Sequence, residues 1–236
     1  MWAATWSARV TVVTAPETGT WRLAFTQAVP RGRWLTVKAL LLAAAVIALT
    51  ALFSLVFAWY RAPLHALEGR FGPNSFDFEG LSLPACTLFA FGAGVLAGVL
   101  LRRTLAAMAA TIAGYLLVRV PMEMWLRPHL QAPAEVTTPA GAAADVGRGD
   151  WVLSSGLTNA GGGRLSAQAE SAVLHAVQTA GGSQENYLRS HGYGHWALIQ
   201  PAGRFWHFQI LEAAIYTLLA LACLVAAVLV LRRHPR

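Results

Sequence analysis

Charge is what this chain has least of. Only 12% of its residues are charged and 56% are hydrophobic, whereas an ordinary soluble domain carries roughly a quarter charged residues. The deficit means that much of the surface faces lipid. Cysteine is scarce as well. Cys86 and Cys223 are the only two, and both lie inside apolar runs, where thiols pack as small apolar groups. A disulfide framework and a paired CxxC site are therefore excluded. The patterns GxSxG, HExxH and GxxxxGK[ST] are also absent, which leaves no nucleophile elbow, no zinc-protease helix and no phosphate-binding loop. No enzymatic activity and no bound cofactor are expected of this chain. His191 and His195 in HGYGH come nearest to a metal pair. Their intervening glycines work against the helix that would align both imidazoles, so they read as loop histidines.

What the chain does have is long uncharged runs. Ala39–Tyr60 is the first, and about 20 helical residues suffice to cross the ~30 Å hydrocarbon core of a bilayer. It ends in Trp59-Tyr60, a pair suited to the headgroup level. The second run is Leu83–Leu101, followed at once by Arg102-Arg103 and a third run over 104–126. As one helix, residues 83–126 would reach roughly 66 Å at 1.5 Å per residue. They read instead as a helical hairpin turned at Arg102-Arg103. The last run, about Phe208–Leu231, closes in Arg232-Arg233-His234-Pro235-Arg236. The N-terminus, MWAATWSARVTVVTA, has neither the apolar core nor the cleavage site of a signal peptide.

The cations set the orientation. With the N-terminus inside, the cytoplasmic face receives Arg22, Arg31, Arg33, Lys38, Arg102, Arg103, Arg232, Arg233 and Arg236, while the short outer loop holds Arg61 and Arg70. This is the positive-inside pattern. It places both termini in the cytoplasm and the long loop 127–206 outside a plasma membrane. The net charge of +7 is thus distributed as topology signals rather than along one basic face, which argues against nucleic acid as a partner. The expected architecture is an all-α integral membrane protein. Residues 1–38 form a cytoplasmic segment, 39–126 three spans (39–60, 83–101 and 104–126), 127–206 a small exoplasmic loop domain, and 207–236 the last span and its basic tail. Within the loop domain, Leu165–Thr179 and Gln184–Ser190 read as short helices between glycine-rich breaks.

Several residues stand out as candidates. Glu17-Thr18-Gly19-Thr20 starts a helix, Trp21, Leu23, Ala24 and Phe25 give it an apolar face, and Pro30-Arg31-Gly32-Arg33 reads as a sharp turn into the first span. Together these predict an interfacial elbow. In the third span Arg119 and Glu123 share a helix face. Two accounts fit them: an internally neutralised pair near the outer interface, with Arg127 snorkelling nearby, or charges lining a transport path. Pro121 is expected to kink that helix. Glu212 reads either as a carboxylate at the positive end of the last helix or as a partner of Arg119 or Arg204. The second run contains Gly92, Gly94 and Gly98, with Gly94 and Gly98 at the small-xxx-small spacing, and these glycines let another helix approach, from this chain or a second subunit.

The same elbow carries a resemblance. Glu17-Thr18-Gly19-Thr20, Arg22-Leu23-Ala24, Thr26-Gln27, Arg31 and Arg33-Trp34-Leu35 resemble the ETGTxRLAxTQxVxRxRWL stretch of actinobacterial ABC transporter permeases of the type-2 exporter class. Gln200-Pro201-Ala202-Gly203-Arg204-Phe205-Trp206-His207-Phe208-Gln209 is similar to the QPAxRFWxFQ segment that leads into that family's last helix, and Trp151–Gly156 also fits. The resemblance implies a six-span permease subunit that works as a homodimer with a separate ABC ATP-binding subunit. It also implies that two spans precede the Glu17 segment in relatives and are lacking here. The ATPase would then engage the elbow, through Glu17, Arg22, Gln27, Arg31, Arg33 and Trp34, and the cytoplasmic turn Arg102-Arg103. The competing reading is a non-transporting membrane scaffold or regulator whose exoplasmic loop binds a ligand or partner.

Overall fold

A computed structural model describes residues 31–65, 69–140, 142 and 146–233. In chain order the elements are α1 (Arg31–Arg61), α2 (Pro73–Phe78), α3 (Ser82–Leu101), α4 (Thr104–Pro121), β1 (Ala134–Thr138), β2 (Trp151–Thr158), α5 (Ala167–Ala180), α6 (Gln184–Ser190), β3 (Gly194–Gln200) and α7 (Phe205–Arg233). They sort into two compact units. One comprises the described residues within Met1–Val56, Gly80–Met122 and Ile210–Arg236, the other those within Phe57–Glu79 and Glu123–Gln209.

The first unit is built from α1, α3, α4 and most of α7. These helices lie in four segments long and apolar enough to cross a membrane, the number expected from the sequence. Large apolar side chains such as Leu41, Leu55, Leu105 and Leu117 point outward, each more than 65% exposed. In water that surface would be heavily penalised; in lipid it is the solvated side. The inner side is packed around Ala85, Cys86 and Phe89 of α3, Met122 just beyond α4, and Tyr216 and Ala220 of α7. Ser54 on α1 is buried and donates to the Gly80 carbonyl at 3.0 Å. Cys86 donates to the Leu83 carbonyl at 3.3 Å and packs in this core.

The hairpin at Arg102-Arg103 is found where the run lengths placed it. Arg102 caps α3 in the left-handed conformation, φ 52° and ψ 16°, with its backbone N–H donating to the Gly98 carbonyl. Arg103 is extended and α4 starts at the next residue. Pro121 acts as expected of a residue without an N–H. The helix widens directly after it into a π-helical turn, Met122–Leu126, and closes with the turn Arg127–His129.

One expectation needs correction. The segment Arg31–Arg33 is no turn: α1 starts at Arg31, two helical turns ahead of the apolar run. Arg, Trp, Leu and Lys are all adequate helix formers, and a single glycine costs only about 1 kcal/mol. Among the glycines of α3, the tight approach within this chain is not at the Gly94/Gly98 pair. A Cβ on Gly98 would have nothing within 4 Å, and one on Gly94 would make ordinary contact with Thr111 at 3.6 Å. Gly92 is the tight position, where a Cβ would stand 2.9 Å from the Ala220 carbonyl oxygen of α7. The glycine-rich run thus identified the right helix, and the tight contact within this chain falls at Gly92.

The second unit contains a three-stranded antiparallel sheet in the order β1-β3-β2, with Ala134 opposite Ile199 and Trp151 opposite Gln200. A register shift between Val152 and Ser154 bends β2. Helices α5 and α6 lie close to their expected bounds. Leu157 of β2, Val177 of α5 and Leu188 of α6 form the core between them. Ser166 caps α5, its hydroxyl accepting from the Ala169 N–H. The sequence reading contains no strands: each is short, and only their mutual pairing makes them a sheet. The unit also takes in described residues of Phe57–Glu79, a stretch read from the sequence as the end of the first span followed by a plain outer loop. Phe71 and Phe76 from that segment are buried with Phe205 and Phe208.

Candidate functional site

The first unit holds one strongly polar constellation in its apolar interior. Arg119, near the C-terminal end of α4, donates from Nη1 to Oε1 of Glu212 at 3.0 Å. The same Nη1 lies 3.4 Å from the Tyr216 hydroxyl. Glu212 and Tyr216 are four residues apart on α7, so they share a face, and both are fully buried. The pair is charge-assisted and shielded from water, with side-chain exposures of 11% and 0%. Phe89 packs against Tyr216 at 6.0 Å and against Tyr115 at 6.4 Å, closing the apolar side of the site.

An unpaired charge at this depth is strongly disfavoured, so each partner holds the other in place. Of the two accounts of Glu212, the contact to Arg119 is the one observed. Glu212 stands two turns into α7, because that helix starts at Phe205. Arg204 is engaged elsewhere, donating to the Ala132 carbonyl at 2.7 Å and to Gln200 Oε1 at 2.9 Å.

In the second unit a different ion pair forms. Arg127 does not snorkel to an interface. It is 7% exposed, donates to Asp77 at 2.7 Å and lies 4.3 Å over the Phe76 ring. Glu123 lines the same cleft of about 290 Å³, together with Phe71, Phe76, Asp77, Arg127 and Trp151. Phe71 stacks on Trp151 at 5.9 Å and meets Phe208 edge-on at 5.7 Å. His65 and Glu79 bond at 2.8 Å nearby in the chain.

The segment Gln200–Gln209 proves to be a structural joint. Gln200 is fully buried and donates to the Gln131 carbonyl at 2.8 Å. Gln209, also fully buried, donates to the Phe76 carbonyl at 2.7 Å, 133 residues away in sequence. Phe205 and Phe208 fill the aromatic cluster between them. Asp77, Tyr216 and His65 were not candidates in the sequence. Nothing local marks them, since each matters through a partner far along the chain.

Of the remaining candidates, Glu17, Arg22 and Gln27 lie outside the described residues, as does most of the elbow. Arg31 is described only as part of the α1 backbone. Arg33 is exposed in the first turn of α1 and Lys38 packs over Trp34 at 4.2 Å. Arg102 and Arg103 are both exposed. His191 stacks on Tyr187 at 4.1 Å and bonds its carbonyl, while His195 is exposed on β3.

Four long apolar helices with outward-facing leucines, joined to a small mixed α/β unit, define a multi-pass helical membrane protein. Residues 12–127 match the family described as ABC-2 membrane transporter related, which places this stretch among ABC-2 type permeases of ABC transporters. That family implies an ATP-binding partner. Neither a curated protein nor a solved structure matches the chain.

Proposed function

We propose that this chain is the membrane-spanning subunit of an ABC exporter, moving its substrate outward with ATP hydrolysed by a separate ATPase subunit. The family match over residues 12–127 carries the reading, because it spans both the elbow segment and the helices it leads into. The given sequence has no GxxxxGK[ST] pattern, which agrees with ATP hydrolysis by a separate partner. In this reading it works as a homodimer in the plasma membrane. Both termini are cytoplasmic and the 127–206 region is outside. The cation distribution supports that orientation.

The elbow is where the ATPase engages. Residues 31–38 continue α1 as a basic helix ahead of the apolar run. A 31-residue helix extends about 46 Å, well over the hydrocarbon thickness, so its basic end projects toward a soluble partner. The test is purification of the tagged full chain from its native membranes. A P-loop ATPase is expected to co-purify, and the double variant Arg31→Glu, Arg33→Glu is expected to lose it. If the double variant keeps both the ATPase and transport, the coupling role is wrong. The scaffold alternative draws on the folded second unit, and it prevails if function persists when no ATPase is expressed.

A further inference from the structure

Arg102 occupies a position where glycine is the default. Its φ of 52° is the only positive value among the described non-glycine residues. A side chain there crowds the following carbonyl, which is why glycine is usual at such a helix end. Arg103 follows in extended conformation, and both side chains are exposed. The fold thus holds two adjacent guanidinium groups outward on a strained two-residue turn. Among the described residues of this unit, no carboxylate accounts for them. Glu212 is the sole acidic residue among the described residues of this unit, and Arg119 holds it.

What surrounds the turn says what it faces. Leu100, Leu101 and Leu105 flank it and are 56%, 44% and 82% exposed, so the apolar lipid-facing surface runs up to the arginines from both helices. Length gives the depth. All 20 residues of α3 are uncharged, and a helix of that size extends about 30 Å, just the hydrocarbon thickness. Arg102 follows its last residue directly and so stands at the level of the lipid phosphates. It lacks the overhang with which α1 reaches beyond the membrane.

We infer that the Arg102-Arg103 turn is a binding site for the phosphate of an anionic phospholipid in the leaflet it faces. The planar guanidinium forks suit phosphate oxygens, and the flanking leucines suit the acyl chains. The same groups were expected from the resemblance to meet the ATPase; their depth and apolar surroundings favour lipid. The site requires only that α3 and α4 cross the membrane and does not depend on the exporter reading.

The test uses the full chain in phosphatidylcholine nanodiscs with and without phosphatidylglycerol, followed by thermal unfolding. Phosphatidylglycerol is expected to raise the midpoint of the natural protein, and inorganic phosphate in the buffer is expected not to. Arg102→Gly relieves the left-handed strain and is expected to raise the midpoint in pure phosphatidylcholine while losing half or more of the phosphatidylglycerol increment. Adding Arg103→Gln is expected to remove most of the rest, whereas Arg103→Lys alone retains the increment. A full increment in the Arg102→Gly, Arg103→Gln protein overturns the inference. So does a double variant that keeps the increment but no longer co-purifies an ATPase, because the turn then serves a protein partner.

Discussion

Arg119 and Glu212 are 93 residues apart in the chain and 3.0 Å apart in space, joining α4 to α7 through a charged contact in the interior of the helical unit. Two long helices that share no turn are thereby held in one rotational setting. A helix pair in lipid gains nothing from hydrophobic burial against its neighbours, so a bond of this kind weighs heavily in choosing which faces meet.

Removing one partner strands the other. Glu212→Ala is expected to destabilise the protein by about 3–5 kcal/mol, the usual consequence of leaving a buried charge uncompensated. Arg119→Leu combined with Glu212→Leu is expected to cost clearly less than the sum of the single changes. Unfolding in detergent, followed by tryptophan fluorescence, reads both. Additive single and double variants would show that the two side chains do not depend on one another.

The glycines of α3 are expected to differ sharply. Gly92→Leu forces a side chain against the Ala220 backbone and is expected to cost about 1–3 kcal/mol or more through overpacking. Gly98→Ala meets open space and is expected to be neutral or slightly stabilising, since alanine is the better helix former. Should Gly98→Ala prove the more damaging in lipid, the Gly94/Gly98 face is covered by a second copy of the chain.

Orientation is open to a direct chemical test. In a Cys86→Ala, Cys223→Ala background, Gln178→Cys on exposed α5 is expected to react with a membrane-impermeant maleimide in intact cells. Arg233→Cys is expected to react only after permeabilisation. The reverse pattern inverts the topology and with it the assignment of the basic end of α1 to a cytoplasmic ATPase.

How far these features were legible depends on their range. The spans, the hairpin at Arg102-Arg103 and helices α5 and α6 were readable because each is set by residues within one run. The site was readable only in part. Arg119 and Glu212 announced themselves as charges in apolar surroundings, and a contact between them was one of the stated alternatives. Tyr216 and Asp77 gave no such signal, because a tyrosine in a span and an aspartate in a loop are ordinary until a partner arrives. The Gln200–Gln209 segment was recognisable by its likeness to a family pattern, yet its physical role was not. That role depends on carbonyls at Gln131 and Phe76, which no local pattern connects to it.

Composition and charge spacing were enough to make this a multi-span membrane protein, to find four candidate crossings among the described residues and to place the turn at Arg102-Arg103. Those properties follow from transfer of each segment between water and lipid, a sum over neighbouring residues that needs no knowledge of the fold. The pairing of Arg119 with Glu212, the seating of Gly92 on Ala220 and the gathering of three short strands into a sheet belong to the folded chain alone. Each arises from the requirement that buried polar groups and packed surfaces find a complement, and that complement lay tens of residues away or more.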